Sequence, residues 1–434
     1  MSYAKLYKTF RVRCSPCYRR CLRKDFILLM SKSTIILVQF RNQIPKLYLY
    51  FMVKRESAKE LKVLSTQFKA VALVGPRQSG KTTLTKAVFP GKDYVSLENP
   101  DQRVFALEDP RGFLAQYPKG AFIDEAPRVP ELFSYLQQLL DESAEPGKFI
   151  LTGSNNFLLQ HNIVQSLAGR IAYLYLLPFS IKELKSADLL PAGINELMYN
   201  GSYPPVYTQQ IPAEKWFPNY VSTYVERDVR LIKNITDLAA FERFIKLCAG
   251  RTGQLLNRNS LGIEAGVDSK TIAAWIGILE SSFIVHLLQP HHQNFNKRVV
   301  RMPKLYFYDT GLVCSLMGIQ NEQQLNLHPL RGSLFENLII SELIKKRYNA
   351  GKPRNLYFWR DNKGNEVDII IDEGNSLFPV EIKAGQTITP AYFKGINFWN
   401  QLTGNKEGAV IYAGEKMQKR SSGITIIPWN KMNI

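Results

Sequence analysis

The sequence predicts an α/β protein of several domains, and three observations carry that expectation. A short apolar strand runs into a glycine-bearing loop and then a helical pattern near residue 75. Two further apolar runs, ending near residues 124 and 153, turn polar at their last positions as strands do when they deliver side chains to a sheet edge. Beyond residue 330 a helical stretch is followed by runs of period two. At 434 residues the chain exceeds one ordinary domain, with apolar content for two or three cores.

Charge is concentrated at one end. Residues 1–51 hold eleven Lys or Arg against the single acid Asp25, a net of +10; the total of +19 leaves +9 on the other 383 residues. Three of the five cysteines, Cys14, Cys17 and Cys21, share that segment, while Cys248 and Cys314 stand far downstream. No disulfide framework or zinc-type spacing follows. Scattered cysteines and the lack of a cleavable leader pattern favour a reduced, cytoplasmic setting. The run from Phe26 to Phe40, broken by Ser31, Lys32 and Ser33, is too short to span a bilayer. With no phased apolar pattern before Met52, residues 1–51 read as a disordered basic extension or a misassigned start.

The first domain is expected over residues 52–180. From Lys69 the chain reads KAVALVGPRQSGKTTLTKAVF: strand, loop, helix. The loop Gly75, Pro76, Arg77, Gln78, Ser79, Gly80, Lys81, Thr82 satisfies GxxxxGK[ST] in the context where that pattern is persuasive. The glycines let successive amides face phosphate oxygens at the positive end of a helix. Lys81 adds charge for the β and γ phosphates, Thr82 a hydroxyl for Mg²⁺, and Thr83 a contact to the α phosphate. The expected ligands are therefore ATP, or another nucleoside triphosphate, and Mg²⁺.

Hydrolysis needs a carboxylate for the metal shell and another for the attacking water. GAFIDEA supplies Asp124 for the first and Glu125 for the second, against the plainer reading of a helix N-cap. Next, KFILTGSNN ends in Thr152, Ser154 and Asn155; Ser154 and Asn155 are the expected γ-phosphate sensors, a simple turn being the alternative. Arg170, in SLAGR, reads either as an arginine finger to its own or a neighbouring subunit's triphosphate, or as a surface arginine.

GPRQSGKTTL, FIDEA and ILTGS in this order resemble the AAA-type ATPases, and more narrowly a prokaryotic group whose ATPase domain is joined to a C-terminal domain of unknown function. The resemblance begins at Met52 and implies that the two nucleotide motifs lie on adjacent-type strands of a mostly parallel sheet. LPFSIKEL, NGSYPPVY and NYVSTYVERDVRLI resemble the group's helical linker, expected over 181–236; Glu226, Arg227 and Asp228 there read as a solvated face.

From Asp237 to Leu288 the apolar phase is helical, with Gly266 at a turn and Ser269, Lys270 and Thr271 opening a second helix. The expectation is a winged-helix region over 237–310, with the basic HHQNFNKRVVR as a wing along DNA phosphates, or else a protein-docking module.

LYFYDTGLVCSLMG, GSLFENLIISEL, FWRDNKGNEVDIII and PVEIKAG resemble the same group's C-terminal domain, expected over 311–434. The last three also resemble the PD-(D/E)XK core of restriction-endonuclease-like α/β domains. Helical phase puts Glu336 on an apolar face, though Glu342 is similarly placed; strand phase puts Asp368 mid-strand and Glu381 with Lys383 on one face. Such a site would hold Mg²⁺ or Mn²⁺ between Asp368 and Glu381, with Glu336 supporting a metal-bound water and Lys383 orienting the nucleophile. The five histidines, dispersed except for His291 and His292, form no metal motif.

The leading functional reading is an ATPase coupled to a DNA-binding or DNA-processing domain. Its rivals are a nucleotide-dependent switch with a catalytically inactive nuclease-like domain, and a loop that binds but barely hydrolyses. The switch would take a protein or DNA as its partner, and a homo-oligomer is a separate expectation compatible with each reading.

Overall fold

The computed structural model describes four N-terminal strands and then residues 53–154, 167–224, 235, 237–291 and 300–432. Cys14, Cys17, Asn155, Glu226, Arg227, Asp228 and positions 292–299 of the expected wing lie outside the described residues.

The N-terminal strands are β1 (Arg19–Arg23), β2 (Phe26–Met30), β3 (Ile35–Gln39) and β4 (Lys46–Tyr50). They pair antiparallel in sequence order. They fall in the segment expected to be a disordered basic extension or a misassigned start. β2 and β3, which flank in sequence the break at Ser31, Lys32 and Ser33, pair antiparallel from Phe26↔Gln39 to Met30↔Ile35.

The second sheet follows α1 (Ala58–Gln67) and comprises β5 (Ala70–Val74), β6 (Asp93–Ser96), β7 (Ala121–Asp124), β8 (Phe149–Gly153) and β9 (Ile171–Tyr175). Its order is β6-β7-β8-β5-β9, all parallel. β5, β7 and β8 are buried along their whole length, as strands covered on both faces must be. The covering helices are α2 (Lys81–Val88), α3 (Pro100–Glu108), α4 (Pro110–Ala115) and α5 (Leu132–Glu142). The two nucleotide motifs are not on neighbouring strands: β8 lies between β5 and β7, which brings its own polar end between them.

The expected linker folds into short helices α6 (Ile181–Ser186), α7 (Ile194–Asn200), α8 (Pro204–Thr208) and α9 (Ala213–Tyr220), which bury Tyr203, Trp216, Phe217 and Tyr220 in the main core. Three helices come next: α10 (Leu238–Gly250), α11 (Arg258–Ala265) and α12 (Ser269–Ser281). Gly266, at φ +80°, ends α11, and the Asp268 carboxylate caps α12 by accepting from Thr271 N at 2.7 Å.

The third sheet is built from β10 (Val285–Pro290), β11 (Lys304–Phe307), β12 (Leu356–Arg360), β13 (Glu366–Asp372), β14 (Leu377–Lys383), β15 (Gly408–Tyr412), β16 (Gln418–Lys419) and β17 (Ile424–Pro428). It is ordered β11-β10-β12-β13-β14-β15-β17-β16. The β10–β11 hairpin therefore extends the C-terminal sheet, across the boundary expected at residue 310. Helices α13 (Thr310–Leu316), α14 (Arg331–Asn349) and α15 (Lys394–Thr403) complete this part. Among the described residues no helix is long and apolar enough to cross a membrane.

Candidate active site

At the end of β5 the chain passes so close to the continuation of β9 that a Cβ on Gly75 would sit 2.0 Å from the Leu176 carbonyl oxygen. Only glycine fits. Gln78 and Gly80 then take φ +61° and +94°, curling the loop so that α2 starts at Lys81. Lys81 is buried and folded back, donating to the carbonyls of Gly75 and Pro76 at 2.9 Å each. Burial lowers its pKa, while Glu125 and Asp124 act in the opposite direction. Phosphate oxygens would replace two neutral acceptors with charged ones, a stronger pairing. Thr83 lies exposed in the first turn of α2, and Arg77 approaches Glu98 at 3.5 Å.

Asp124, at the end of β7, is the hub. Its Oδ2 accepts from Thr82 Oγ1 at 2.9 Å and from Tyr94 Oη at 3.1 Å, and its Oδ1 accepts from Thr152 Oγ1. Burial and the Asp124 carboxylate push the Tyr94 phenol up, so it stays a donor. The next residue, Glu125, adopts a left-handed φ of +53°, held by its N–H donating to Thr152 Oγ1 at 3.2 Å. Its carboxylate accepts from Ser154 N at 3.3 Å and Ser154 Oγ at 3.1 Å. Thr82 and Asp124 thus offer an all-oxygen donor set of the kind Mg²⁺ takes. From sequence Thr152 was named only in the polar end of its strand, without a role at the two carboxylates, and Tyr94 was not named. The first needed the position of β8 in the sheet, and the second lies on β6, which bears no motif.

Two aromatic residues from the segment after β9 reach this loop. Trp216 Nε1 donates to Gln78 Oε1 at 3.2 Å. Tyr224 Oη lies 3.4 Å from Ser154 O and 3.2 Å from Ser282 O, the residue that follows α12. Arg77 also stands 5.7 Å from the Tyr224 ring centre.

Arg170 is not brought to this end of the sheet. Ile171 pairs with Ala70 in the parallel β5–β9 ladder, so Arg170 sits level with Lys69. That is the opposite end of the strand from Gly75, roughly 20 Å away at the usual rise over six residues. Its guanidinium is paired with Asp141 instead. The reading as a finger to its own chain's triphosphate is corrected by strand direction.

A second polar cluster lies on the C-terminal sheet. Lys383 Nζ donates to Asp368 Oδ2 at 3.1 Å and also to Glu381 Oε2. Asp368 further accepts from Ile382 N at 2.7 Å. Glu336, from α14, accepts from Lys304 Nζ at 3.1 Å and from Tyr306 Oη, both on β11. Lys304 in turn reaches Glu366 at 2.5 Å. Asp368, Glu381 and Lys383 therefore converge, but an ammonium lies between the two acids, and Glu336 is engaged by residues sequence reasoning missed. Desolvation pushes the Glu381 carboxyl well up; at Asp368 desolvation is outweighed by Lys383 and Lys304, which hold it down. Among the described residues no group of three or more His, Cys, Asp or Glu side chains is arranged to hold a metal ion. Glu342, the other inward acid of α14, pairs with Lys345 at 2.7 Å and accepts from Ile181 N at 2.7 Å. Those partners satisfy its buried charge.

Residues 67–185 match a family described as an AAA domain, residues 192–323 a domain of unknown function, DUF8612, and residues 331–432 another, DUF4143. An uncharacterized protein of Mycobacterium tuberculosis is 28% identical over 379 residues, covering 86% of this chain and 83% of its own length. An uncharacterized protein of Methanocaldococcus jannaschii is 22% identical over 361 residues, covering 76% and 77%. Among solved structures, a Walker-type ATPase of Pyrococcus abyssi aligns with 14% identity and TM-score 0.41 over 61% of this chain and 96% of that one. Residues 67–185, the part that matches the AAA domain, hold the five-stranded parallel sheet with the loop of 75–82.

Proposed function

We propose that this AAA-type chain is a Mg²⁺-dependent ATPase whose nucleotide state repositions a DNA-engaging C-terminal unit. The observation that carries the first half is the meeting of Lys81, Thr82, Asp124, Glu125, Thr152 and Ser154 at the C-terminal ends of β5, β7 and β8. The loop amides of 75–82 would bind the phosphates, and Lys81 would leave its two carbonyl partners for the β and γ oxygens. Thr82 and Asp124 would hold Mg²⁺, which supplies charge neutralisation on the phosphates when bound. Glu125 would take a proton from the attacking water, and Ser154, which now holds that carboxylate, would report the γ phosphate. The six residues are so placed that each role falls to a neighbour within hydrogen-bonding reach.

Trp216 and Tyr224 support the coupling, since one touches the phosphate loop and the other links the end of β8 to the end of α12. The three-helix unit with its following hairpin has the element order of a winged helix, and Ser269 and Lys270 are exposed at the start of α12. The order α14-β12-β13-β14-α15-β15 is compatible with a PD-(D/E)XK core, in which Asp368, Glu381 and Lys383 would cut a phosphodiester with a divalent metal. That requires Lys383 to leave at least one carboxylate. Its present place between both acids favours a second reading, a nucleotide-dependent switch that holds DNA or a protein without cutting it.

One assay separates these. The purified chain is incubated with Mg²⁺ or Mn²⁺, with or without ATP, and labelled single-stranded, duplex and branched DNA, while phosphate release is followed. Cleavage lost in Lys383→Ala supports the nuclease; ATP turnover with every DNA intact supports the switch. No turnover under any condition overturns the ATPase reading.

A further inference from the structure

Three residues beyond Met52, outside the motifs of the nucleotide domain, Arg55 is 7% exposed, and a buried guanidinium must find partners for its donors. It finds three. Nε donates to Glu183 Oε1 at 2.9 Å, Nη1 to Ser79 O at 2.6 Å and Nη2 to Leu177 O at 2.6 Å, with the Phe179 ring 5.0 Å from the guanidinium carbon. The planar fork matches this spread of acceptors, which a lysine's single ammonium would not.

We propose that Arg55 is a positioning residue for the phosphate loop. Ser79 sits between the two left-handed residues Gln78 and Gly80, where the orientation of each peptide plane decides what the loop presents. In a trans peptide the carbonyl of one residue and the N–H of the next point in opposite directions. Drawing Ser79 O toward Arg55 therefore turns the N–H of Gly80 away from Arg55, toward the inside of the loop where a phosphate would lie. This inference rests on the ATP-binding reading above and adds the device that orients the cradle.

The anchor behind Arg55 is itself fixed. Glu183 also accepts from Glu56 N at 2.8 Å and Ser180 N at 2.9 Å, and with Ser180 forms the capping box of α6. The first turn of α6 is tied to α14, where Glu342 accepts from Ile181 N at 2.7 Å and Lys345 donates to Phe179 O at 2.9 Å. The peptide plane of the loop is thus referenced to the C-terminal helix through one guanidinium.

The test uses the full chain, with Lys81→Ala as the control for loop-dependent binding. Arg55→Lys keeps the charge opposite Glu183 but not the fork. Arg55→Met with Glu183→Gln removes both charges together, so no unpaired ion is buried, and glutamine can still serve the capping box. A fluorescent ATP analogue reports Kd, adenosine competition reports the base and ribose alone, and urea midpoints report the fold. We expect both variants to fold and to bind ATP at least about tenfold more weakly, equivalent to about 1.4 kcal/mol. KM should rise in step and adenosine affinity should stay as in the wild type. Wild-type ATP affinity in folded variants, or equal losses for ATP and adenosine, overturns the positioning role. A wild-type chain that binds no ATP brings down the nucleotide reading itself, and this inference with it.

Discussion

Replacing Thr152 by valine tests how Asp124 and Glu125 are held. The two side chains have nearly the same volume, so no cavity opens, and what is lost is one hydroxyl in a fully buried position. That hydroxyl donates to Asp124 Oδ1 and accepts from Glu125 N at 3.2 Å. Its removal strands one acceptor and one donor, and a buried polar atom left without a partner costs about 1–3 kcal/mol. Glu125 is also in the left-handed region, at φ +53°, where a non-glycine residue carries about 1–3 kcal/mol of strain that its surroundings must hold. Without the bond to Thr152 the Glu125 peptide can relax and its carboxylate leaves the attacking water. If about 2 kcal/mol of this falls on the chemical step, kcat drops about thirtyfold. The phosphate loop is untouched, so the Kd for a fluorescent ATP analogue should stay near the wild-type value. Phosphate release with that binding control is the assay. A folded Thr152→Val chain that hydrolyses ATP at the wild-type rate would refute the argument that this hydroxyl organises the two carboxylates.

Three further expectations follow from particular atoms. Gly75→Ala places a methyl group 2.0 Å from the Leu176 carbonyl oxygen, so ATP binding should fall at least about tenfold, or 1.4 kcal/mol, as read by fluorescence titration. Gly395→Ala would bring a methyl within 1.9 Å of Glu381 Oε1 and 2.4 Å of the Glu366 carbonyl oxygen; overpacking of this kind costs about 1–3 kcal/mol, visible as a lower urea midpoint. His286 lies buried against Tyr306, neither ring nitrogen having a partner among the described residues, and burial, with Arg354 nearby, depresses its pKa well below the usual histidine value. The unfolded chain therefore takes up the proton first, at about pH 6.5, and the native state loses stability as pH falls below that value. His286→Phe should remove this acid limb, so its stability advantage over the wild type grows between pH 7 and pH 5; a constant difference would show that His286 does not titrate in this way.

How much of this was legible in sequence depends on how far apart the cooperating residues lie. The phosphate loop was readable because strand, loop and helix are consecutive, and its glycines answer to local backbone demands at Gly75 and Gly80. Strand periodicity likewise placed Asp368, Glu381 and Lys383 on a common face, since β13 and β14 are joined by a short turn. Strand order was not readable: nothing in FILTGS says that β8 enters between β5 and β7, which is what carries Thr152 to Asp124. The reading of Arg170 as a finger to its own chain's triphosphate fails for the converse reason, because a residue before a parallel strand ends up at the edge opposite the loop. Lys304 and Tyr306 belong to a hairpin inside the expected winged-helix region of 237–310, and only sheet pairing brings them to Glu336. Glu336 and Glu342 looked equivalent on a helical wheel, and their different partners, β11 for one and the α6 cap for the other, separate them.

The central claim is that the loop at 75–82 binds ATP and that Glu125 drives its hydrolysis. Its most direct test is a single-turnover experiment with radiolabelled ATP in excess enzyme, comparing the wild type with Glu125→Gln and Lys81→Ala. The account predicts that the wild type binds and cleaves, that Glu125→Gln retains intact ATP with its cleavage rate reduced at least about a hundredfold, or 2.7 kcal/mol, and that Lys81→Ala retains little nucleotide. Cleavage by Glu125→Gln at the wild-type rate would contradict it.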